Sequence, residues 1–172
     1  ITVGNLTNGY ITVGLAYWRP GSETITSVKW DSTGANTSMS VIASHGATSD
    51  QVAIYGLAVG TVSAGTYTIS IDTSAAGLEM VAGADSWNQV HQTTSVGTEV
   101  DAGQTTSTTP SVTLTSSSTD FGFAVFESFS QVTITPADNS SFSAVSGPTD
   151  GAGAWQSGTN MTINWTISNS QP

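Results

Sequence analysis

The stretch NMTINWTIS, residues 160–168, alternates polar and apolar side chains without a break. Successive side chains of a β-strand point to opposite faces, so the even positions from Asn160 to Ser168 share one face and the odd positions from Met161 to Ile167 share the other. An antiparallel strand with one face in the core and the other in solvent has this pattern. The stretch therefore predicts a half-buried β-strand.

Similar short segments recur along the whole chain between clusters of Gly, Ser, Asn and Asp, and helical periodicity is nearly absent. The predicted strands span residues 1–4, 10–18, 24–30, 38–44, 51–59, 65–72, 78–85, 111–116, 120–128, 131–135 and 160–168. About ten strands in one chain predict an all-β fold, a two-sheet antiparallel β-sandwich of jelly-roll type. QVAIYGLAV (51–59) and FGFAVF (121–126) are apolar on both faces, which indicates central strands or surfaces covered by a neighbour.

The chain of 172 residues is long enough to bury a stable core, and it contains no cysteine. A disulfide framework and a thiolate metal site are therefore excluded. We divide the chain into an N-terminal strand and linker, residues 1–9, and a β-sandwich domain, residues 10–172. Because the chain begins at Ile1, we expect a mature product from which a leader has been removed.

Only 8% of the residues are charged, the net charge is −10, and Arg19 and Lys29 are the only cationic side chains. Binding to a phosphate backbone or to anionic lipid requires a basic cluster, so neither nucleic acid nor a membrane is an expected partner. A protease that cuts after lysine or arginine finds almost no site in this chain. These features predict an extracellular or cell-surface location.

The run of ITSVKW, DQVAIYGLA, GTYTISI, WNQVHQTTSVGT, SVTLTSSSTDFGFAVF and NMTINWTIS, in this order, resembles a family of secreted microbial β-sandwich surface modules. The resemblance covers roughly residues 10–168. It implies a module of adhesins, large surface proteins or enzyme appendages that has no catalytic residues of its own. Members of that family have a longer strand before the YITVG-like one, whereas this chain has only ITVG.

Five of the eight asparagines lie in N-x-S/T acceptor sequons. They are Asn5, Asn36, Asn139, Asn160 and Asn164. We interpret them as candidate glycosylation sites, with Asn36 in a turn and Asn164 on a polar strand face as the best placed. Polar strand and turn residues of a threonine-rich protein remain the alternative explanation for each site.

Catalytic and metal-binding patterns are weak in this sequence. His45 and His91 lack the spacing of a metal site, so surface histidines are expected, with no metal and no cofactor. A glycoside hydrolase would need two carboxyl groups about 5 to 9 Å apart across a cleft. The candidate carboxylates are Glu79, Glu127, Asp72 and Asp85. Acidic residues spread along a chain with few cations more often provide solubility, so no enzyme is expected.

Tryptophans offer a different kind of site, because exposed indole rings can stack on sugar rings. Trp155 lies in the Gly-rich stretch GAGAWQSG, which predicts an exposed loop, and it is the best candidate for a carbohydrate platform. Aromatic residues that fill a wide sandwich core are the alternative interpretation.

The leading functional hypothesis is a non-enzymatic structural subunit of an extracellular filament or surface layer. The subunit would bind copies of itself by β-strand addition into a helical homopolymer, with Ile1 and Val3 of the short strand ITVG entering a neighbour. An ordinary edge strand that folds back on its own domain is the alternative for ITVG. A carbohydrate-binding or adhesive module of a larger secreted protein and a glycoside hydrolase are the alternative functions.

Overall fold

The computed structural model describes residues 1–46, 49–103, 107–129, 132–136 and 138–168. These residues form fifteen β-strands and no helix, so none of them belongs to a helix able to cross a membrane. The strands are β1 (Thr2–Val3), β2 (Leu6–Trp18), β3 (Ile25–Trp30), β4 (Thr37–Ser38), β5 (Ser40–Gly46), β6 (Asp50–Val62), β7 (Gly65–Thr66), β8 (Ile69–Thr73), β9 (Glu79–Trp87), β10 (Ser111–Leu114), β11 (Phe121–Phe129), β12 (Ile134–Pro136), β13 (Asn139–Ser146), β14 (Thr149–Ser157) and β15 (Met161–Ile167).

The strands form five antiparallel sheets. Their orders are β4-β3-β8 (sheet I), β5-β6-β2-β9 (sheet II), β11-β14-β13 (sheet III), β10-β15-β12 (sheet IV) and the small pair β1-β7. The prediction of an all-β antiparallel fold is confirmed. The finer prediction of a single two-sheet jelly roll is not confirmed, because the strands are divided among five sheets and the buried apolar residues among two clusters.

Strand β2 is buried on both faces and lies at the centre of sheet II. Its odd residues, including Ile11, Val13 and Leu15, pack into a first core cluster with Val28 and Trp30 of sheet I. Its even residues face sheet III, where Gly14 lies against side chains of β11 and β13. Sheet II therefore has an apolar contact on each side, which explains why YITVGLAYW is almost continuously apolar.

The second core cluster lies between sheets III and IV. It contains Ala124, Val132, Ile134, Ala152, Ala154, Ile163, Trp165 and Ile167. The predicted alternation of β15 is confirmed, because its odd residues are buried whereas Thr162 and Asn164 are only partly buried and Thr166 is exposed. The four main sheets thus follow one another as layers, with sheets II and III in contact at the centre.

Strands β13 and β14 lie where no strand is predicted from the sequence, because residues 139–157 are rich in Ser, Gly and Ala, and Gly and Ala are depleted in strands. Glycine here allows sheets II and III to approach closely. The ring of Phe142 on β13 lies against Gly14, Gly83 and Gly153, so it occupies the space that their side chains would take.

We expect Gly153→Ala to destabilise the protein by about 1 to 3 kcal/mol, because a methyl group there would overlap the half-buried Phe142 ring and disturb its packing between sheets II and III. Urea unfolding measures the loss. Gly97→Ala is the matched control, since no atom lies within 4 Å of the added methyl group. Equal midpoints for both variants would contradict the close packing of sheets II and III.

Candidate functional site

The N-terminal strand β1 lies on its own subunit as a short edge strand. Thr2 and Val3 are opposite Thr66 and Gly65 of β7, and the Tyr67 N–H donates to the Ile1 carbonyl at 2.8 Å. Val3 is only 3% exposed and belongs to the first core cluster, and Ile1 packs against that cluster. Donation of Ile1 and Val3 to a neighbour stays a prediction, and it requires β1 to leave this position.

Residues 1–9 are joined to the body of the protein by an irregular ladder. The pairing of β2 with β6 shifts register at Leu6 and again at Gly9, and Asn8 between them has a φ of 51°. Regular pairing runs from Tyr10 to Trp18. Residues 1–9 thus lie outside the regular part of the β2–β6 pairing, although Val3 and Leu6 are buried in the first core cluster.

Four of the five sequon asparagines are exposed, and the fifth is half-buried. Asn36 and Asn160 adopt φ values near 50° in tight turns, a conformation that asparagine tolerates well. Asn164 is half-buried, and its side-chain amide donates to the Thr162 carbonyl at 3.1 Å. The exposed sequon residues are Asn5, Asn36, Asn139 and Asn160. Glycosylation of any of them stays a prediction.

Trp155 lies in strand β14, so the prediction of an exposed loop at GAGAWQSG is wrong. Its ring centroid is 5.5 Å from that of Trp87, with the two planes at 85°, and 6.3 Å from that of Phe121 at 63°. In such edge-to-face pairs one ring presents its edge to the face of the other. Carbohydrate binding at Trp155 stays a prediction.

A groove of about 1450 Å³ runs along β11, between sheets II and IV. All nine residues of β11 line it. Residues 42–45 and 52–54 of β5 and β6 line one wall, and Ser111, Val112 and Leu114 of β10 line the other. Residues 89–91 and 94–103 of the following loop line the groove as well. The groove is thus an open channel beside the outer edge of β11.

Carboxyl groups cluster near one end of this groove. Burial, followed by the charges of Asp50 and Asp150, raises the pKa of Glu127 to about 8. Asp150 is 1% exposed, and its carboxylate accepts a hydrogen bond from the backbone N–H of Val132. Burial raises the pKa of Asp150, and this hydrogen bond opposes the shift. One oxygen of each of the three carboxyl groups is buried without a partner among the described residues.

The other carboxylates considered from the sequence lie elsewhere. Glu79 is on β9 and faces Gly147, and it does not line the groove. Asp72 is exposed and pairs with Lys29 at 2.9 Å. Asp85 is half-buried, and burial raises its pKa while a hydrogen bond from Ser141 lowers it. Of the four carboxylates considered from the sequence, Glu127 is the one that lines the groove, and its neighbours Asp50 and Asp150 were not among them.

The two histidines are both exposed. His45 lies on β5, with its Nδ1 atom 2.7 Å from Asp101 Oδ2. His91 lies in the loop after β9, and its Nδ1 atom accepts the Thr94 N–H at 3.1 Å. In the part of the chain that the structure describes, no three His, Asp or Glu side chains are grouped to hold a metal ion.

The comparisons with known proteins identify no relative. No family model, no curated protein and no solved structure matches this chain.

Proposed function

We propose that the protein is a non-enzymatic structural subunit of an extracellular filament or surface layer, built by β-strand addition between copies of the chain. The observation that carries the proposal is the attachment of the N-terminal segment, residues 1–9. Its strand β1 pairs with β7 through only two residues, and its residues 6–9 form the irregular start of β2. Exchange of an element between identical subunits is a route to assembly, and here the acceptor must replace the burial that Val3 and Leu6 have in the first core cluster.

The polarity of this exchange favours a filament. The donor is the N-terminal segment and the acceptor is a different surface, so each contact is heterologous and leaves a free donor and a free acceptor. Such contacts propagate head to tail unless the rotation between subunits closes a ring. The nearly uncharged, hydroxyl-rich composition, with only Arg19 and Lys29 as cations, suits a protein exposed outside the cell.

A reversible lock tests whether the N-terminal segment must leave its own subunit. Thr2 and Thr66 are directly opposite, with their hydroxyl oxygens 3.4 Å apart, and the chain has no other cysteine to interfere with a designed pair. In the variant Thr2→Cys/Thr66→Cys we expect the oxidised, intramolecularly locked chain to stay monomeric and the reduced chain to assemble. Light scattering and electron microscopy measure the assembly.

The matched control for the lock is Thr113→Cys/Thr162→Cys. These threonines are also directly opposite in an antiparallel pair, with hydroxyl oxygens 3.0 Å apart, but they lie on β10 and β15. The control should assemble in both redox states. Fibres from the oxidised Thr2→Cys/Thr66→Cys chain, or a reduced chain that remains monomeric at high concentration, would refute N-terminal donation.

Glycosylation is the second part of the proposal. We expect peptide mapping of native material to find hexose-containing adducts at the exposed sequon residues, with Asn36 and Asn160 occupied. Asn164 should remain bare, because its amide is engaged with Thr162 and its side chain is half-buried. The intact mass gives the total mass of attached glycan. A mass equal to that of the bare polypeptide would remove glycosylation from the proposal.

A hydrolase is a second candidate function, favoured by Glu127. A carboxyl group with a pKa of about 8, beside Asp50 in a groove, has the properties of a general acid. Release of reducing sugar from common polysaccharides, abolished by Glu127→Gln, would establish this function. We expect no release from the wild-type protein, because buried carboxyl groups also occur in structural interfaces.

A further inference from the structure

We propose that the groove along β11 is the acceptor slot of the filament, and that the N-terminal segment of a second copy enters it as an additional strand of sheet III. This inference rests on the proposed function and names the surface that receives the donor. It specifies where on the neighbouring subunit the N-terminal segment binds, which the proposal of strand exchange leaves open.

The outer edge of β11 is open. Sheet III has the order β11-β14-β13, so β11 pairs on one side with β14 and has no described strand on the other. All nine residues of β11 line the groove, irrespective of the face to which their side chains point. The groove therefore faces the backbone edge itself, where an edge strand presents N–H and C=O groups to which another strand can pair.

Sheet III is one strand narrower than the sheet on which it packs. Strand β13 packs on β9, β14 packs on β2 and β9, and β11 packs on β6 and β2. No strand of sheet III packs closely on β5, the remaining strand of sheet II. A strand added to β11 would lie opposite β5 and would give sheets II and III four strands each.

Part of the apolar lining of the groove is exposed, including the first and last residues of β11. Six large hydrophobic residues of the described chain are exposed, and four of them line the groove. These four are Val96, Val100, Phe121 and Phe129. The sequence FGFAVF is apolar on both faces, a pattern of central strands, yet β11 is an edge strand in the isolated subunit. An added strand would turn β11 into the central strand that its sequence indicates.

The N-terminal segment matches this slot in length and pattern. It has nine residues, as β11 has, and each spans about 30 Å when extended. In an extended strand Ile1 and Val3 point to one face and Leu6 to the other. Both walls of the slot are apolar, with Val52 and Ile54 on one side and Val112 and Leu114 on the other.

The segment also brings hydrogen-bond donors to the polar end of the slot. Glu127 Oε1 and Asp50 Oδ1 are buried without a partner among the described residues, and both side chains line the groove. Backbone N–H groups and the side-chain amides of Asn5 and Asn8 supply donors for such oxygens. Filling the slot would thus satisfy polar atoms as well as cover apolar ones.

Hydrogen exchange tests the slot directly. The receptor is the full chain locked as oxidised Thr2→Cys/Thr66→Cys, which keeps its own segment on β7, and the probe is the synthetic peptide ITVGNLTNG. We expect saturating peptide to slow exchange at least tenfold at those amides of residues 121–129 that do not bond to β14. A peptide with Val3→Asp is the control and should bind at least tenfold more weakly, because one buried apolar side chain becomes a charge. The same amides should be slow in wild-type fibres.

The outcomes separate the two proposals. Assembly of the locked chain refutes N-terminal donation itself. The slot is refuted, and donation is left intact, if the locked chain stays monomeric and binds no peptide up to about 1 mM. A dissociation constant of about 1 mM corresponds to a binding free energy of about 4 kcal/mol. Protection at another edge, such as β5 or β13, likewise refutes the slot and leaves donation intact. Slow exchange of residues 121–129 in the unlocked monomer would show that a chain fills its own slot, which also overturns the proposal.

Discussion

Glu127→Gln is expected to stabilise the protein above pH 8 and to leave its stability near pH 4 unchanged. Burial, followed by the charges of Asp50 and Asp150, raises the pKa of Glu127 from 4.5 to about 8 in the folded protein. The folded state therefore holds a proton that the unfolded chain releases at lower pH. This contribution to stability is fully present below pH 4.5 and is lost as the pH rises through 8. Glutamine is neutral at every pH, so the variant does not lose this stability as the pH rises.

The expected difference is large for one side chain. A pKa shift of this size, at about 1.4 kcal/mol per unit, sets an upper bound of about 5 kcal/mol on the free energy of unfolding that ionisation of Glu127 removes. Partial hydration from the groove reduces the bound, so we expect Glu127→Gln to raise the free energy of unfolding at pH 9 by about 2 to 4 kcal/mol.

Urea unfolding at pH 4, 6 and 9 measures the effect. Glu99→Gln is the matched control, because it removes the same charge from an exposed position and should leave the difference near zero at every pH. Wild-type and Glu127→Gln curves that run parallel from pH 4 to pH 9 would mean that Glu127 is ionised in the folded protein.

Periodic alternation in the sequence predicts much of the fold. NMTINWTIS, GLAYW and FGFAVF each become strands, and the buried face of β15 is the one that the pattern indicates. Local alternation reports only which residues can lie in a strand and which face is apolar. It carries no information on which strands become neighbours, so the division into five sheets could not be derived from it.

Strand β14 shows where such prediction fails. TDGAGAWQS lacks β-branched residues apart from its first threonine, yet residues 149–154 are all buried. Small residues are required there because sheets II and III approach closely, and Gly153 leaves room for Phe142. The requirement comes from the facing sheet at Gly151, which lies against Ala16 and Val81, and from the neighbouring strand β13 at Gly153, not from β14 itself. The same limitation applies to the carboxyl cluster, because Asp50, Glu127 and Asp150 are brought together by packing between distant strands.

The free edge of β11 is a further feature that sequence alone does not reveal. Its doubly apolar pattern was compatible with a central strand or with a surface covered by a neighbour. The observed sheet order removes the first possibility for the isolated subunit, since β11 is at the edge of sheet III. The N-terminal segment is the predicted donor, and the groove along β11 is the acceptor that we propose for it and that exchange measurements test.

Trp165→Ala is expected to reduce the free energy of unfolding by about 3 to 5 kcal/mol, the range for removing a large buried aromatic side chain. Trp165 is 3% exposed in the second core cluster, on the central strand of sheet IV. Its ring stacks on that of Phe126 with centroids 5.7 Å apart. Truncation would therefore leave a cavity between sheets III and IV and remove the ring contact between β15 and β11.

Two further substitutions separate the packing of the Trp165 ring from its polar atom. The Nε1 atom is buried without a partner among the described residues, so Trp165→Phe keeps a stacked ring and removes an unsatisfied donor. We expect this variant to lose less than about 1.5 kcal/mol. Thr166→Ala, on the exposed face next to it, should change stability by less than about 0.5 kcal/mol. Urea unfolding followed by far-UV circular dichroism ranks the three variants by their free energy of unfolding. If Trp165→Ala and Thr166→Ala unfold at the same urea concentration, Trp165 does not hold sheets III and IV together, and the second core cluster would have to rest on the aliphatic residues alone.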